Sequence, residues 1–234
     1  MKYEIIQWDS EFFGFKIARI DNFTTQQDFE QLLKQLKLQH IRLVYSIANP
    51  DNQPANQIFS QYANLVDQKT TYYQKIEPKQ YQLDPNIEKY NKSKVDPQLI
   101  DLAFQSGEYS RFKIDPKLPK GSFEKLYTKW IENSVKHQFD DEIYVYKTDN
   151  KIVGLLTLKN KNNIGTISLI GVDQRARGQN IGTKLINATF FHYSKIGIFD
   201  IEVVTQKQNQ FACKFYEKNN FKIKKIENIY HLWL

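Results

Sequence analysis

The stretch Gly171–Leu185, GVDQRARGQNIGTKL, ties the end of a β-rich run directly to the start of a helical pattern, the junction on which alternating strand–helix folds are built. Upstream of it, IGTISLIGV reads as a strand. Downstream, TKLINATFFHYSKIG carries apolar residues at helical spacing and stops at a glycine. A strand (FDIEVVT), a helix (NQFACKFYEKNN) and a last strand (IENIYHLWL) follow. Strands alternating with helices predict an α/β fold, a twisted mixed sheet flanked by helices.

The same order stands near the beginning of the chain. QQDFEQLLKQLKLQ places Phe29, Leu32, Leu33 and Leu36 on one helical face, and IRLVYSI is a strand. DNQPANQIFSQYAN is a helix with an N-cap candidate, and TTYYQKI is again β-rich. Superposing the two regions at an offset of 157 residues sets Asn52 on Asn209, Ala55 on Ala212, Phe59 on Tyr216 and Tyr73 on Tyr230. Two related half-folds explain this echo, and so does the general repetitiveness of α/β chains. The polar stretch EPKQYQLDPNIEKYNKSKVDP separates them, giving an expected N-terminal unit over 1–85 and a C-terminal unit over 86–234. In the second unit IEKYN starts as a strand. DPQLIDLAFQSG is a helix capped by Asp96 with Pro97 at its first position, YSRFKIDPKLPKGS a loop, and FEKLYTKWIENSVKH a helix. EIYVYK and KIVGLLTLK form a hairpin across TDNK.

Composition narrows the class. Of 234 residues, 41% are hydrophobic, enough for a sizeable core, yet no run of about 18 apolar residues is present. The start MKYEIIQWDSEFF lacks the apolar stretch and cleavage site of a signal peptide, so a cytoplasmic protein with no membrane partner is expected. The lone Cys213 cannot close an internal disulfide and, on a helical stretch, reads as a packing residue. The net charge of +7 admits nucleic acid, a membrane surface or small polyanions and by itself chooses none of them; the dispersed lysines count against a nucleic-acid partner, and none is expected. His40, His137, His192 and His231 show no metal-ligand spacing, and no metal is expected.

At the opening junction the strand runs through Val172, a loop follows, and the helix starts near Asn180–Gly182. A helix start offers unpaired N–H groups and the positive end of a dipole. Gly178 allows close approach to the backbone, and Arg175 and Arg177 add charge, which together suit a pyrophosphate. An ordinary strand-to-helix turn with solvated arginines explains the same residues, and this stretch alone does not separate the two.

The order of hairpin, third strand, R-x-x-G loop, helix, strand and N-x-x-A-x-x-F-Y-x-x-x-x-F resembles the GNAT superfamily of acyl-CoA-dependent N-acyltransferases over roughly residues 87–234. Arg175, Gly178 and Asn180 fall on that family's Q/R-x-x-G-x-G/A loop, with Asn180 departing from the usual small residue and Gly182 in place. Further segments, WDSEFFGF (Trp8–Phe15), YSRFKID (Tyr109–Asp115), WIENSV (130–135) and IYHLWL, are similar to the dTDP-amino-sugar N-acetyltransferases of the dTDP-fucosamine acetyltransferase group. Those enzymes pair an incomplete N-terminal GNAT-like domain, here the nucleotide-sugar-binding unit, with a complete C-terminal acyl-CoA-binding one.

The resemblance implies a cytoplasmic enzyme of lipopolysaccharide O-antigen or other surface-polysaccharide biosynthesis. Its co-substrate is acyl-CoA, acetyl-CoA or a short hydroxyacyl relative, and it acylates a dTDP-linked 3- or 4-amino-dideoxyhexose by direct attack in a ternary complex. Backbone amides of Ile170 and Val172 are implied to orient the pantetheine and polarise the carbonyl, and Asn209 to hold the pantetheine arm or cap its helix. Arg175, Arg177, Gly178, Asn180 and Gly182 complete the implied coenzyme site. Tyr216 is the implied general acid, since a phenol at about 10 and a thiol at about 8.5 can share a proton. Asp67, placed in the NLVD turn before a strand, is the implied base, with Glu11 second and bulk water a third route. Arg111 is set to clamp the sugar-nucleotide diphosphate. Tyr109, Phe12 and Phe13 are candidates to stack on thymine or sugar, although WDSEFFGF also suits a core-plus-turn element.

Two other functions fit less of the sequence. One is a protein or peptide N-terminal acetyltransferase on the same fold. The other is a non-catalytic basic binding module, which the presence of Tyr216 and Gly178 disfavours. A homodimer is an open expectation, with the sheet edge near IYHLWL as its contact.

Overall fold

A computed structural model of the chain describes residues 3–21, 23 and 25–234. The N-terminal half runs β1 (Glu4–Ile5), α1 (Gln7–Phe13), β2 (Lys16–Asp21), α2 (Gln26–Leu38), β3 (Ile41–Ala48), α3 (Gln53–Tyr62) and β4 (Asn64–Lys75). After a coil come β5 (Ile87–Lys89), α4 (Pro97–Ser106), α5 (Arg111–Ile114), α6 (Ser122–Val135), β6 (Glu142–Thr148), β7 (Lys151–Lys161) and β8 (Ile164–Val172). A short 3-10 turn, Gln174–Ala176, leads to α7 (Ile181–Lys195), β9 (Asp200–Gln206), α8 (Gln210–Lys218) and β10 (Lys222–Trp233).

All ten strands form one mixed sheet in the order β1-β2-β3-β10-β4-β9-β8-β7-β6-β5. Two pairs are parallel, β2 with β3 and β8 with β9, each bridged by a helix, and the other pairs are antiparallel. The 157-residue echo is matched in the element order: β3-α3-β4 and β9-α8-β10 fall at corresponding positions along the chain. Asn52 and Asn209 cap α3 and α8 in the same way, each accepting from the amide three residues on, Ala55 and Ala212. The halves are interleaved. β10 lies between β3 and β4, and β4 lies between β10 and β9, so each half ends in a strand that pairs with the other half. The boundary at 85/86 falls in coil, while the sheet runs continuously across it.

Helices cover both faces. The apolar stripe of α2 (Phe29, Leu32, Leu33, Leu36) and the buried side of α3 pack on β3 and β10. On the same face α7 and α8 pack against Tyr72, Ile167, Ile201 and Val203. Cross-strand partners share a face, so this side carries Tyr72, Val203, Asn228 and Tyr230. The opposite face is covered by α4 and α6 at one end, on Val145, Leu155 and Leu169, and by α1 and the Leu118 segment at the other, on Ile17, Leu43 and Tyr45.

Four readings of the sequence change here. The IYHLWL segment is no edge. It belongs to β10, whose backbone pairs with β3 on one side and β4 on the other, so it has no free edge for a second subunit. Asp67 is not in a turn but inside β4, which starts at Asn64. The loop after α4 contains a helical turn, α5, capped by Ser110, whose hydroxyl accepts from Phe112 N. WDSEFF is a helix closed by Gly14, whose φ of +76° is the left-handed conformation glycine adopts without penalty.

Candidate active site

The site begins where β8 leaves β9. The two strands pair only at Gly165–Ile167 with Ile201–Val203, and beyond that point β8 is held by β7 alone. Between Thr157 and Leu158 the β7–β8 register shifts, so that Ile167 packs with α7 while Leu169 packs with α4 and α6. The amide of Leu169 donates to the Thr157 hydroxyl (3.0 Å) and that of Asp173 to the Val153 carbonyl (2.9 Å), both toward β7. Alternation along the strand then turns the amides of Ile170 and Val172 to the open side, where β9 has diverged. Gly171, between them, lies under α4, where an added Cβ would stand 2.9 Å from the Leu102 carbonyl.

The loop after β8 is ordered by its own charges. Asp173 accepts from the Arg175 amide (2.9 Å) and from its guanidinium at 3.1 and 2.9 Å, and these bonds pull its carboxyl down to about 2. The Arg175 side chain nonetheless remains 86% exposed. Arg177 folds back, its Nε donating to the Val172 carbonyl (3.1 Å) and Nη2 reaching Gln105 Oε1 (3.5 Å). Gly178 (φ +82°) and Asn180 (φ +60°) both take the left-handed conformation, which asparagine tolerates better than most residues. The departure from a small residue at 180 thus fits the backbone. Asn180 gives α7 no side-chain cap, which leaves the first-turn amides of this helix to another partner. Gly182 faces α8, where a Cβ would meet the Phe215 ring at 2.9 Å.

On α8, Asn209 serves as the cap, and Tyr216 is buried between Tyr72, Phe215 and Phe221. Burial holds its phenol well above the usual value. Cys213 is buried in the same cluster.

On the opposite face of the sheet, a buried polar group gathers beneath α1 and α5. Asp67 on β4 is 2% exposed, and burial raises its carboxyl to about 6 against the opposing charges of Arg111 and Lys69. The Arg111 guanidinium lies over the Tyr45 and Phe112 rings, 5.0 and 4.4 Å from their centroids. The Tyr45 hydroxyl donates to Asp9 (2.8 Å), and its ring stacks on His231 (4.9 Å). Asp115 accepts from His231 Nδ1 (2.6 Å) and Trp233 Nε1 (3.0 Å). Asp67 Oδ1, Arg111 Nε and His231 Nε2 are buried atoms without a hydrogen-bond partner among the described residues.

The structure thus brings Asp67 and Arg111 together, with Phe13 reaching Arg111 only through the Phe112 ring and Glu11 outside the group. Glu11 is exposed, bonded to Gln7 (2.6 Å), and lines a groove of about 400 Å³ near Gln39 and Ile41 at the β1 end of the sheet. Phe12 stacks on Trp8 at 5.2 Å, and Phe13 on Phe112 at 5.8 Å, so these rings are engaged with one another. Tyr109 is half-buried just before α5. Sequence reasoning missed Thr157, Gln105, Tyr45, Asp115 and the site role of His231. These residues meet only through strand pairing and helix packing, so no local pattern marks them. Among the described residues no cluster of three or more His, Cys, Asp or Glu is arranged to hold a metal.

The model of the acetyltransferase (GNAT) family matches residues 104–221, half of the chain, across the diverging strands, the arginine loop and α8. The chain belongs to the GNAT acetyltransferase family. Acetyl-CoA is the acyl donor of this family, and the open amides of β8 and the uncapped start of α7 both lie within the matched residues. N-alpha-acetyltransferase 30 of Schizosaccharomyces pombe is 27% identical over 100 residues, 41% of this chain and 67% of that protein. An uncharacterized N-acetyltransferase of Methanocaldococcus jannaschii is 26% identical over 110 residues, 44% of this chain and 49% of that one, so the match spans about half of its length. A GCN5-related N-acetyltransferase from Sphaerobacter thermophilus shares the fold across 99% of this chain and 76% of its own, with a TM-score of 0.65 at 13% identity.

Proposed function

We propose that this GNAT protein moves an acetyl or short hydroxyacyl group from acyl-CoA to the amino group of a dTDP-linked 3- or 4-amino-dideoxyhexose, in the cytoplasm, for surface polysaccharide. The observation that carries the acceptor half of this reading is the buried Asp67–Arg111 group. It lies on β4, beside β9, at the end of the sheet where β8 parts. In this reading Ile170 and Val172 hold the pantetheine by their amides, while Arg175, Arg177, Gly178, Asn180 and Gly182 form the pyrophosphate loop. The amine forms the new C–N bond as the C–S bond breaks. Asp67 takes a proton from the nitrogen, and Tyr216 gives one to the departing sulfur. Arg111 is a cation suited to the sugar-nucleotide diphosphate.

The likeness to N-alpha-acetyltransferase 30 favours a second reading, a peptide N-terminus as acceptor. Thiol-release kinetics decide between them, with acetyl-CoA and longer acyl-CoAs against dTDP-3-amino sugars, dTDP-4-amino sugars and short peptides. Turnover on a sugar and none on peptides supports the first reading, and the reverse replaces it.

A further inference from the structure

The protonation of His231 is fixed by its neighbours. Asp115 accepts the Lys117 amide at Oδ1 (3.0 Å), and His231 Nδ1 (2.6 Å) and Trp233 Nε1 (3.0 Å) at Oδ2. Burial works against that carboxylate, but these three donors outweigh it and hold its pKa below the usual value. An ionised carboxylate only accepts, so the His231 proton is on Nδ1 and Nε2 is a bare lone pair. Burial, helped by the Arg111 charge and opposed by Asp115 and Asp9, lowers the imidazole pKa below its usual value, which favours the neutral ring. Nε2 is buried and has no hydrogen-bond partner among the described residues. A buried acceptor left unmet destabilises the fold, so a ligand that supplies its donor is favoured.

Its surroundings give the lone pair a direction and a company. Stacking on Tyr45 sets the ring plane. Ile229, two residues before His231, pairs with Asp67 across β10 and β4, so Asp67 and His231 share a face, with a register shift after Ile229 lying between them. Arg111 acts electrostatically on both and leaves its own Nε–H unmet. The group therefore holds one unmet acceptor, at His231, and one unmet donor, at Arg111, on the side of the sheet that carries Asp67. Arg111 is half-buried while Asp67, Asp115 and His231 are buried, so Arg111 is the most exposed of the four.

We propose that His231 Nε2 accepts a hydrogen bond from a ring hydroxyl of the acceptor, so that the protein selects amines bearing a hydroxyl within one sugar ring of the nitrogen. Asp115 is the positioning residue that fixes the tautomer. This rests on the acyltransferase reading above and narrows its substrate.

The test compares kcat/KM, with acetyl-CoA as donor, for two dTDP-amino sugars that differ only in the ring hydroxyl next to the amine. Wild type, His231→Phe and His231→Gln are measured, with calorimetric acetyl-CoA binding to check that each variant is folded. The wild type is expected to favour the hydroxylated sugar by about 10- to 100-fold. The ratio should fall to near 1 in His231→Phe and recover in part in His231→Gln, which keeps a carbonyl acceptor. A wild-type ratio near 1, a ratio preserved in His231→Phe, or an equal loss on both sugars overturns the inference. If the wild type acetylates neither sugar, the amino-sugar reading fails instead. The hydroxyl preference, which rests on that reading, then falls with it.

Discussion

The Leu169 amide donates to the Thr157 hydroxyl, 3.0 Å away, at the point where β7 and β8 change register and β8 has left β9. Both residues are buried, so removing the acceptor leaves an N–H without water to replace it. Thr157→Val keeps the shape and should cost about 1–3 kcal/mol. Thermal melting should fall by about 2–4 °C for each kcal/mol, with a raised KM for acetyl-CoA because the adjacent amides lose their aim. Thr157→Ser, which keeps the hydroxyl, should restore most of both. A valine variant that melts with the wild type would remove this bond from the account.

Asp67 predicts a pH-dependent stability with a definite sign. Burial raises its folded pKa to about 6, above the 3.8 of an ordinary carboxyl, so the folded state holds the proton more tightly. Asp67 therefore destabilises the fold above about pH 6, and that cost disappears as pH falls through the window from 6 to 4. Asp67→Asn should melt higher than wild type at pH 8 and together with it below pH 4. Its acyl transfer should fall at every pH, and wild-type kcat/KM should rise through about pH 6 as the carboxylate forms. Melting curves at four pH values and one pH–rate profile check both halves.

Tyr216→Phe removes one oxygen from a buried ring and leaves its packing against Tyr72 and Phe221 intact. Stability and acetyl-CoA affinity should hold, while kcat falls by about 100-fold, in the range of a lost general acid. Because burial lifts this phenol above its ordinary value, it should stay protonated to about pH 10, with no alkaline fall in wild-type kcat from this group. Full turnover by the phenylalanine variant would take Tyr216 out of the mechanism.

Arg175 is held in place by Asp173 but is otherwise in solvent, so its contribution to an anion is electrostatic and screened by salt. Arg175→Ala should weaken acetyl-CoA binding by about 10-fold at low ionic strength, less at high salt, with kcat little changed. Calorimetry at two salt concentrations reads this directly.

Local pattern made much of the fold legible. The stripe of α2, the Asp96–Pro97 start of α4 and the β6–β7 hairpin follow from spacing and capping chemistry within a few residues. The offset between Asn52 and Asn209 marked the repeat because both halves need the same cap. What the sequence hid was long-range. Nothing in IYHLWL says that it lies between two strands of the other half, so a central strand read as an edge. The arginine loop was visible because its charges and glycines are contiguous. The His231–Asp115 pair was not, since its members are 116 residues apart and meet across a sheet face.

If the main-chain amides at the end of β8 and the start of α7 grip coenzyme A, amide hydrogen exchange with and without the coenzyme reads that grip residue by residue. Protection should appear at Ile170, Val172 and the segment from Gly178 to Thr183, and leave the α2 and β3 amides as they were. Unchanged exchange at those positions in saturating coenzyme A would contradict the claim.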